Sequence, residues 1–185
     1  MRTVVVSLIA ADRPGLVAEL AETVAEQGGN WLESQMGRLG GTFAGAVLVE
    51  LEEDRVEDLS AAVRDLRDVD VVEVTAATTA APGDGDLTPT RLVAVGQDQP
   101  GIVREITVAL ADRGLGIQEF HTSTGDAPMS GERLFEAVAV VGVAPDVDLT
   151  NLRTALDEVS AQLSLDIRLD DGDDNPAWGE VPEPI

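Results

Sequence analysis

One internal duplication constrains this chain of 185 residues more than any other feature. The segment from Ala11 to Leu20 (ADRPGLVAEL) recurs from Gln97 to Ile106 (QDQPGIVREI), at an offset of 86 residues. Asp, Pro, Gly, Val and Glu coincide between the copies, and Leu/Ile exchanges fill the apolar positions. The offset is too long for a solenoid repeat of roughly 20–50 residues. The chain is therefore predicted to contain two copies of one small domain.

Each copy begins with a strand and a helix. The β-branched, apolar runs Thr3 to Ala10 and Arg91 to Gly96 predict buried strands. A helix follows, with Pro14 expected in the first turn of the first copy. Its apolar face is predicted from four positions: Leu16, Val17, Leu20 and Val24, repeated as Ile102, Val103, Ile106 and Leu110. Glycines 28, 29 and 114 are expected to end these helices.

A hairpin, a second helix and a last strand complete each copy. Residues 30–38 and 42–52 flank a Gly40-Gly41 turn, and residues 116–124 and 134–143 form the longer second hairpin, whose tip is 125–131. The last strands are predicted at 70–76 and 165–169. The fold class is thus α+β, with two tandem ferredoxin-like β-α-β-β-α-β units. The predicted domains are 1–76 and 91–170, with a linker at 77–90 and an acidic, proline-containing tail at 171–185 that Trp178 anchors.

Composition excludes several classes of function. All 12 basic residues are arginines against 35 acidic ones, and the net charge of −23 disfavours direct nucleic-acid binding. The chain has no Cys and a single His, so thiolate and His-rich metal sites are excluded. No apolar run could span a bilayer and no signal peptide is recognised, so a soluble, cytoplasmic protein without membrane contact is expected.

The strand-to-helix corner at Asp12 to Gly15 could bind a small zwitterion. A helix N-terminus offers free N–H groups to a carboxylate, and a glycine allows close approach. Asp12 could accept a hydrogen bond from an ammonium group. Asp12 could equally be a helix N-cap that needs no ligand, so both interpretations stay open. The substitution Gly15→Val is predicted to block binding while the protein still folds.

The Asp-x-Pro-Gly-[Leu/Ile]-Val corner within a β-α-β-β-α-β unit resembles the ACT domain. Two such units with little else resemble the glycine cleavage system transcriptional repressor family. The resemblance implies paired sheets, and an amino acid bound where one corner meets the second strand of a neighbouring unit. The implied ligand-binding residues are Asp12, Arg13, Gly15, Leu16 and Asn30, with Asp98, Gln99, Gly101 and Ile102 in the second copy.

Two departures from the family pattern affect these sites. Trp31 replaces a smaller aliphatic residue and could either line or fill the first pocket. Gly116 stands where the first copy has Asn30, so a weaker second site is expected.

The resemblance implies an amino-acid-sensing regulator rather than an enzyme. Glycine or serine is the favoured ligand, a DNA-binding regulator is the expected partner, and a homodimer is expected. The alternative is a ligand-free dimerisation module. Asp126, Glu132 and His121 could form an acid–base cluster, but no nucleophile accompanies them, so no catalytic residue is predicted. Acidic clusters are interpreted as solvated faces, so no metal site and no cofactor are predicted.

Overall fold

The computed structural model describes residues 1–78, 87–127 and 131–170. The chain divides into two compact units, Met1–Thr79 and Ala80–Ile185. Most of the predicted linker, the centre of the second hairpin tip and the predicted tail with Trp178 lie outside the described residues.

The first unit has the predicted element order. Its elements are β1 (Arg2–Ala11), α1 (Leu16–Glu26), β2 (Asn30–Leu39), β3 (Thr42–Leu51), a 3₁₀ turn (Glu53–Arg55), α2 (Val56–Arg64) and β4 (Val69–Ala76). The second unit repeats the order as β5 (Thr88–Gln97), α3 (Ile102–Ala111), β6 (Gly116–Asp126), β7 (Arg133–Val143), α4 (Leu149–Leu163) and β8 (Leu165–Asp170). Two ferredoxin-like units are confirmed. Strand β5 begins at Thr88, three residues inside the segment predicted as linker.

Each unit has a four-stranded antiparallel sheet. The strand orders are β2-β3-β1-β4 and β6-β7-β5-β8, so the first strand of each unit is central. Arg2 pairs with Leu51, and Ala11 pairs with Thr42. The corner that follows β1 therefore lies at the same end of the sheet as the β2–β3 turn. That turn has φ +60° at Gly40 and +85° at Gly41, which confirms the predicted two-residue hairpin.

Strand alternation and helix periodicity build the aliphatic cores. In β1, Val4, Val6, Leu8 and Ala10 are each at most 2% exposed. They pack against α1 and α2, as alternate strand residues facing one layer must. The prediction for Val17 and Val103 was wrong, since these residues are 43% and 40% exposed. Each follows a buried residue in its helix and is therefore rotated about 100° away from the core.

Helices α1 and α3 end just before the glycines that were predicted to end them. Helix α1 ends at Glu26 and α3 at Ala111. Gly28 and Gly114 then adopt φ +74° and +70°, which a residue with a Cβ rarely does.

Both edge strands β2 and β6 contain a β-bulge that the sequence did not predict. The pairing register shifts between Trp31 and Glu33, and again between Ile117 and Glu119. The bulge residues Leu32 and Gln118 occupy equivalent positions in the two copies. The bulge lets Trp31 pack against the first core while Leu32 stays 47% exposed.

Candidate functional site

The two corners share one backbone conformation. The residue before each helix is a glycine with positive φ: Gly15 at φ +86° and Gly101 at φ +100°. Helix α1 begins only at Leu16, so the prediction that Pro14 lies in its first turn was wrong. Pro14 lies in the preceding turn because Gly15 has to turn the chain before the helix can start.

The space above both corner glycines is open. Both residues are exposed, and a Cβ built on either would meet no heavy atom within 4 Å among the described residues. Protein atoms from the described part of the chain therefore do not fill the position that a small ligand needs. At φ +86° any L side chain is strained, whatever the space, so Gly15→Val is expected to be less stable than the wild type, and the expectation that it still folds stays a prediction.

Neither corner aspartate is a helix cap. The cap residues are the glycines, with no side-chain cap hydrogen bond. Asp12 instead accepts a hydrogen bond from Arg38 Nη1 at 3.1 Å, and Asp98 lies 3.5 Å from Arg133 Nε. The N-cap interpretation of the sequence pattern was therefore wrong. Asp148, before α4, shows what a cap looks like in this chain, since its Oδ1 accepts from the Thr150 N–H at 2.9 Å.

The first turn of each helix has backbone N–H groups to offer. In α1 the Glu19 N–H donates to the Gly15 carbonyl at 2.9 Å, and the Leu16 N–H makes a long bond of 3.4 Å to the Arg13 carbonyl. Within the described residues no backbone carbonyl takes the N–H of Val17 or Ala18. In α3 the Glu105 N–H donates to the Gly101 carbonyl. Among the described residues no backbone carbonyl accepts from the N–H groups of Val103 or Arg104. These N–H groups and the helix dipole favour an anion at both corners.

Arg13 is occupied by contacts that hold the first corner together. Its guanidinium makes a bidentate pair with Glu19 at 2.8 and 2.5 Å, and it donates to the Arg67 carbonyl at 3.1 Å. The Arg13 side chain is only 11% exposed, and its Nε lies 3.5 Å from Asp68. The hydrogen bond from Arg13 lowers the pKa of Glu19 below its ordinary value, and Glu19 in turn raises the pKa of Arg13. Arg13 is therefore engaged mainly within its own unit, although its buried Nε has no hydrogen-bond partner among the described residues, and its contact with a ligand stays a prediction.

Gln99 holds the second corner through a neutral hydrogen bond. Its Nε2 donates to the Leu163 carbonyl at the end of α4, at 2.6 Å. Arg13 and Gln99 are equivalent in the duplication, and both tie the corner to the segment that precedes the last strand. Leu16 and Ile102 are 3% and 2% exposed, so their side chains belong to the cores and only their backbone faces the corner.

Asn30 lies at the opposite end of the sheet from the corner of its own unit. Asn30 pairs with Glu50, which pairs with Thr3, nine residues before Asp12. At about 3.3 Å per strand residue the two are separated by about 30 Å. The structure therefore does not bring Asn30 and Asp12 together within one unit. Gly116, the counterpart of Asn30, likewise begins β6, across β7 from the start of β5.

An open cleft of about 530 Å³ lies at the second corner. Its polar lining includes Asp98, Arg104 and Thr107, and its apolar lining includes Phe135 beside Gly101. Phe135 is 8% exposed and belongs to the core, so it gives the cleft a fixed apolar wall. This cleft lies at the corner that the sequence predicts to be the weaker site, and that expectation stays a prediction.

Arg38 and Arg133 are the site residues that the sequence analysis missed. Both contact a corner aspartate from the hairpin. The signal was present in the topology, since the strand order places the β2–β3 turn beside the end of β1. It was absent from the local sequence, because 26 residues separate Arg38 from Asp12.

Two other sequence candidates, His121 and Asp126, lie on strand β6. His121 is exposed on β6, opposite Val138. Asp126 pairs in register with Arg133. In the described ranges no group of three or more His, Cys, Asp or Glu side chains is arranged to hold a metal ion. None of the described helices is long and apolar enough to cross a membrane.

Comparisons with known proteins agree with this geometry. Residues 2–73 match the ACT domain family model. An unknown protein from Galdieria sulphuraria is 30% identical, with a TM-score of 0.81 over 91% of this chain and 97% of that one. A structure provisionally identified as a glycine cleavage system transcriptional repressor is 19% identical, with a TM-score of 0.65 over 91% of this chain and 96% of that one.

One enzyme structure matches over part of its length, and curated proteins do not match. A formyltetrahydrofolate deformylase from Pseudomonas putida KT2440 is 22% identical over 46% of this chain and 29% of that chain, with a TM-score of 0.40. The comparison with curated proteins found no match. The family match shows that residues 2–73 form an ACT domain, and the second unit repeats its ferredoxin-like topology and its corner.

Proposed function

We propose that this protein is a regulator that binds a small amino acid at its ACT corners and passes that signal to a partner protein. The observation that supports it most is the open corner, which occurs twice with the same positive-φ glycine and the same exposed aspartate. A surface that served only to start a helix would not need the aspartate, because the aspartate does not cap the helix.

The chemistry of the corner suits an α-amino acid. The N–H groups of the first helical turn can bind the carboxylate, and Asp12 or Asp98 can accept from the ammonium group. Glycine and serine are the favoured ligands because the corner is open but shallow, and because the fold resembles that of a protein named for glycine cleavage. The cleft at the second corner leaves room for such a ligand beside Asp98.

Asn30 would complete a site only from a neighbouring unit. Its distance from the corner of its own unit excludes it there, so a site that includes Asn30 requires a second copy of the chain. Pairing of sheets through edge strands would supply that arrangement. A homodimer is therefore part of this proposal.

The partner is expected to be a DNA-binding regulator. A net charge of −23 opposes direct contact between this chain and phosphate backbones, so an effect on transcription would pass through a second protein in the cytoplasm. Coupling between ligand and partner binding is typically about 1–3 kcal/mol, which is enough to shift such a complex.

A thermal-shift screen of the standard amino acids tests the proposal. A ligand at about 100 times its Kd adds about 2.7 kcal/mol to the free energy of unfolding, which would raise the melting temperature by several degrees. The double variant Asp12→Asn/Asp98→Asn should lose the shift, and the control Asp157→Asn, on an exposed position of α4, should keep it. A flat response to every amino acid at millimolar concentration would refute ligand sensing.

The alternative is a ligand-free interaction module, which the exposed edge strands favour. Most residues of β2 and β6 are exposed, and the outer edge of each strand has no partner strand among the residues that the structure describes. A flat thermal-shift screen combined with concentration-dependent self-association in analytical ultracentrifugation would support the module. A ligand-induced shift would support the sensor.

A further inference from the structure

Each corner aspartate is held by one arginine from the hairpin of its own unit. Arg38 contacts Asp12 at 3.1 Å, and Arg133 contacts Asp98 at 3.5 Å. The two pairs have nearly the same exposure: both aspartate side chains are 34% exposed, and the arginines are 70% and 67% exposed. Both guanidinium groups therefore remain largely in water beside a half-buried carboxylate.

The two arginines do not come from equivalent positions of the duplication. The counterpart of Arg38 is Thr124, and the counterpart of Arg133 is Gly41, on the other arm of the hairpin. In the second unit Arg133 Nη2 donates to Thr124 Oγ1 at 3.1 Å, so its guanidinium lies where the first unit has Arg38. Arginines at two non-equivalent positions thus place a guanidinium group beside the corner aspartate of each unit.

The phenylalanine near each corner shows where the guanidinium group lies relative to the site. Arg38 pairs across the hairpin with Phe43. Arg133 precedes Phe135 by two residues on β7, so both side chains leave the same face of the sheet. Phe43 and Phe135 are equivalent in the duplication, and Phe135 lines the cleft. The guanidinium therefore lies at the margin of the site rather than on a remote surface.

Stability does not explain this repeated placement. An ion pair as exposed as these contributes little to folding, because water screens the charges and two long side chains lose freedom. A guanidinium is, however, the group best suited to bind a carboxylate through two parallel hydrogen bonds. The pair with aspartate keeps that group at the site when no ligand is bound.

We propose that Arg38 and Arg133 recognise the carboxylate of the ligand and thereby set the specificity of the corners for zwitterions. The inference rests on the proposed function. On binding, the ligand ammonium takes the place of the guanidinium at the aspartate, and the guanidinium turns to the ligand carboxylate. The exchange keeps both protein charges paired, but only for a ligand that carries both charges. Amines without a carboxylate leave the arginine without a partner and bind weakly.

Calorimetric titration of the full chain tests this exchange with matched probes. Glycine is compared with methylamine and L-serine with ethanolamine, since each amine lacks only the carboxylate. The proteins are the wild type, Arg38→Gln, Arg133→Gln, the double variant, and the control Arg168→Gln, whose arginine is 73% exposed and pairs with Asp166. Circular dichroism checks that each variant folds, which the exposure of these side chains leads us to expect.

The wild type and Arg168→Gln should bind the amino acid at least tenfold more tightly than its amine. The double variant should lose about tenfold or more in amino-acid affinity, which corresponds to the loss of one charge-assisted hydrogen bond, and should discriminate less against the amine because only the helix N–H groups still bind the carboxylate. Unchanged or tighter amino-acid binding by the double variant would overturn the role of the arginines and leave the sensor standing. No binding of any standard amino acid by the wild type would overturn the sensor and this inference with it.

Discussion

Replacing Gly15 with alanine should destabilise the first unit although the new methyl group touches nothing. The backbone at Gly15 has φ +86° and ψ −6°, and a Cβ there would have no heavy atom within 4 Å. The cost is therefore conformational only, at about 1–2 kcal/mol for an L residue in this region. Alanine also restricts the unfolded chain, which offsets about 0.4–1 kcal/mol of that cost. A net loss of about 1 kcal/mol in the free energy of unfolding is expected.

Urea denaturation followed by circular dichroism measures the loss, and Gly37→Ala is the matched control. Gly37 is also exposed, and a Cβ there also has no neighbour within 4 Å, but its φ is not positive. Alanine at position 37 should be neutral or slightly stabilising. Gly101→Ala and Gly116→Ala repeat the comparison in the second unit. If Gly15→Ala were as stable as Gly37→Ala, the positive φ would not be the reason for the corner glycine.

Two further predictions concern side chains near the helix starts. Because Arg13 lowers the pKa of Glu19, their ion pair contributes stability above the ordinary pKa of 4.5 and loses it as the pH falls through the lower folded-state pKa. Glu19→Gln should therefore lower the free energy of unfolding at neutral pH and have less effect in acid, whereas the exposed Glu22→Gln should have little effect at either pH in the same urea titrations. Asp148→Ala removes the cap of α4 and should cost about 1 kcal/mol in thermal denaturation, more than Asp157→Ala in the middle of that helix, and equal values would contradict the capping role.

The fold was predictable because its signals are local and occur twice. The alternation of Val4, Val6 and Leu8 is visible in the sequence and appears in the structure as three side chains at most 2% exposed. Because the chain contains two copies of the domain, each element is predicted twice, and a weak turn signal in one copy is supported by the other. The strand that begins at Thr88 was misplaced because Thr88, Pro89 and Thr90 have a loop-like composition, yet Thr90 is only 1% exposed on an inner face.

The site was less predictable because its contacts join residues that are distant in sequence. The bond from Arg13 to the Arg67 carbonyl spans 54 residues, and the one from Gln99 to Leu163 spans 64. No local sequence pattern indicates that the side chains of Arg13 and Gln99 already donate hydrogen bonds to backbone carbonyls. The position of Asn30 is a related case, since its separation from the corner follows only from the pairing register of three strands.

Each residue of the Asp-x-Pro-Gly corner has a separate structural role, and the roles are the same in both copies. The glycine provides the positive φ that the turn requires. The residue after the aspartate, Arg13 or Gln99, donates a hydrogen bond to the segment that precedes the last strand of its unit. Those two roles account for the shape of the corner without the aspartate, which does not cap the helix and whose side chain pairs, among the described residues, with an exposed arginine. A chain that uses Asp148 as a true cap elsewhere gains little folding stability from Asp12 and Asp98. Binding of a charged ligand is the role that would account for an aspartate at this place in both units.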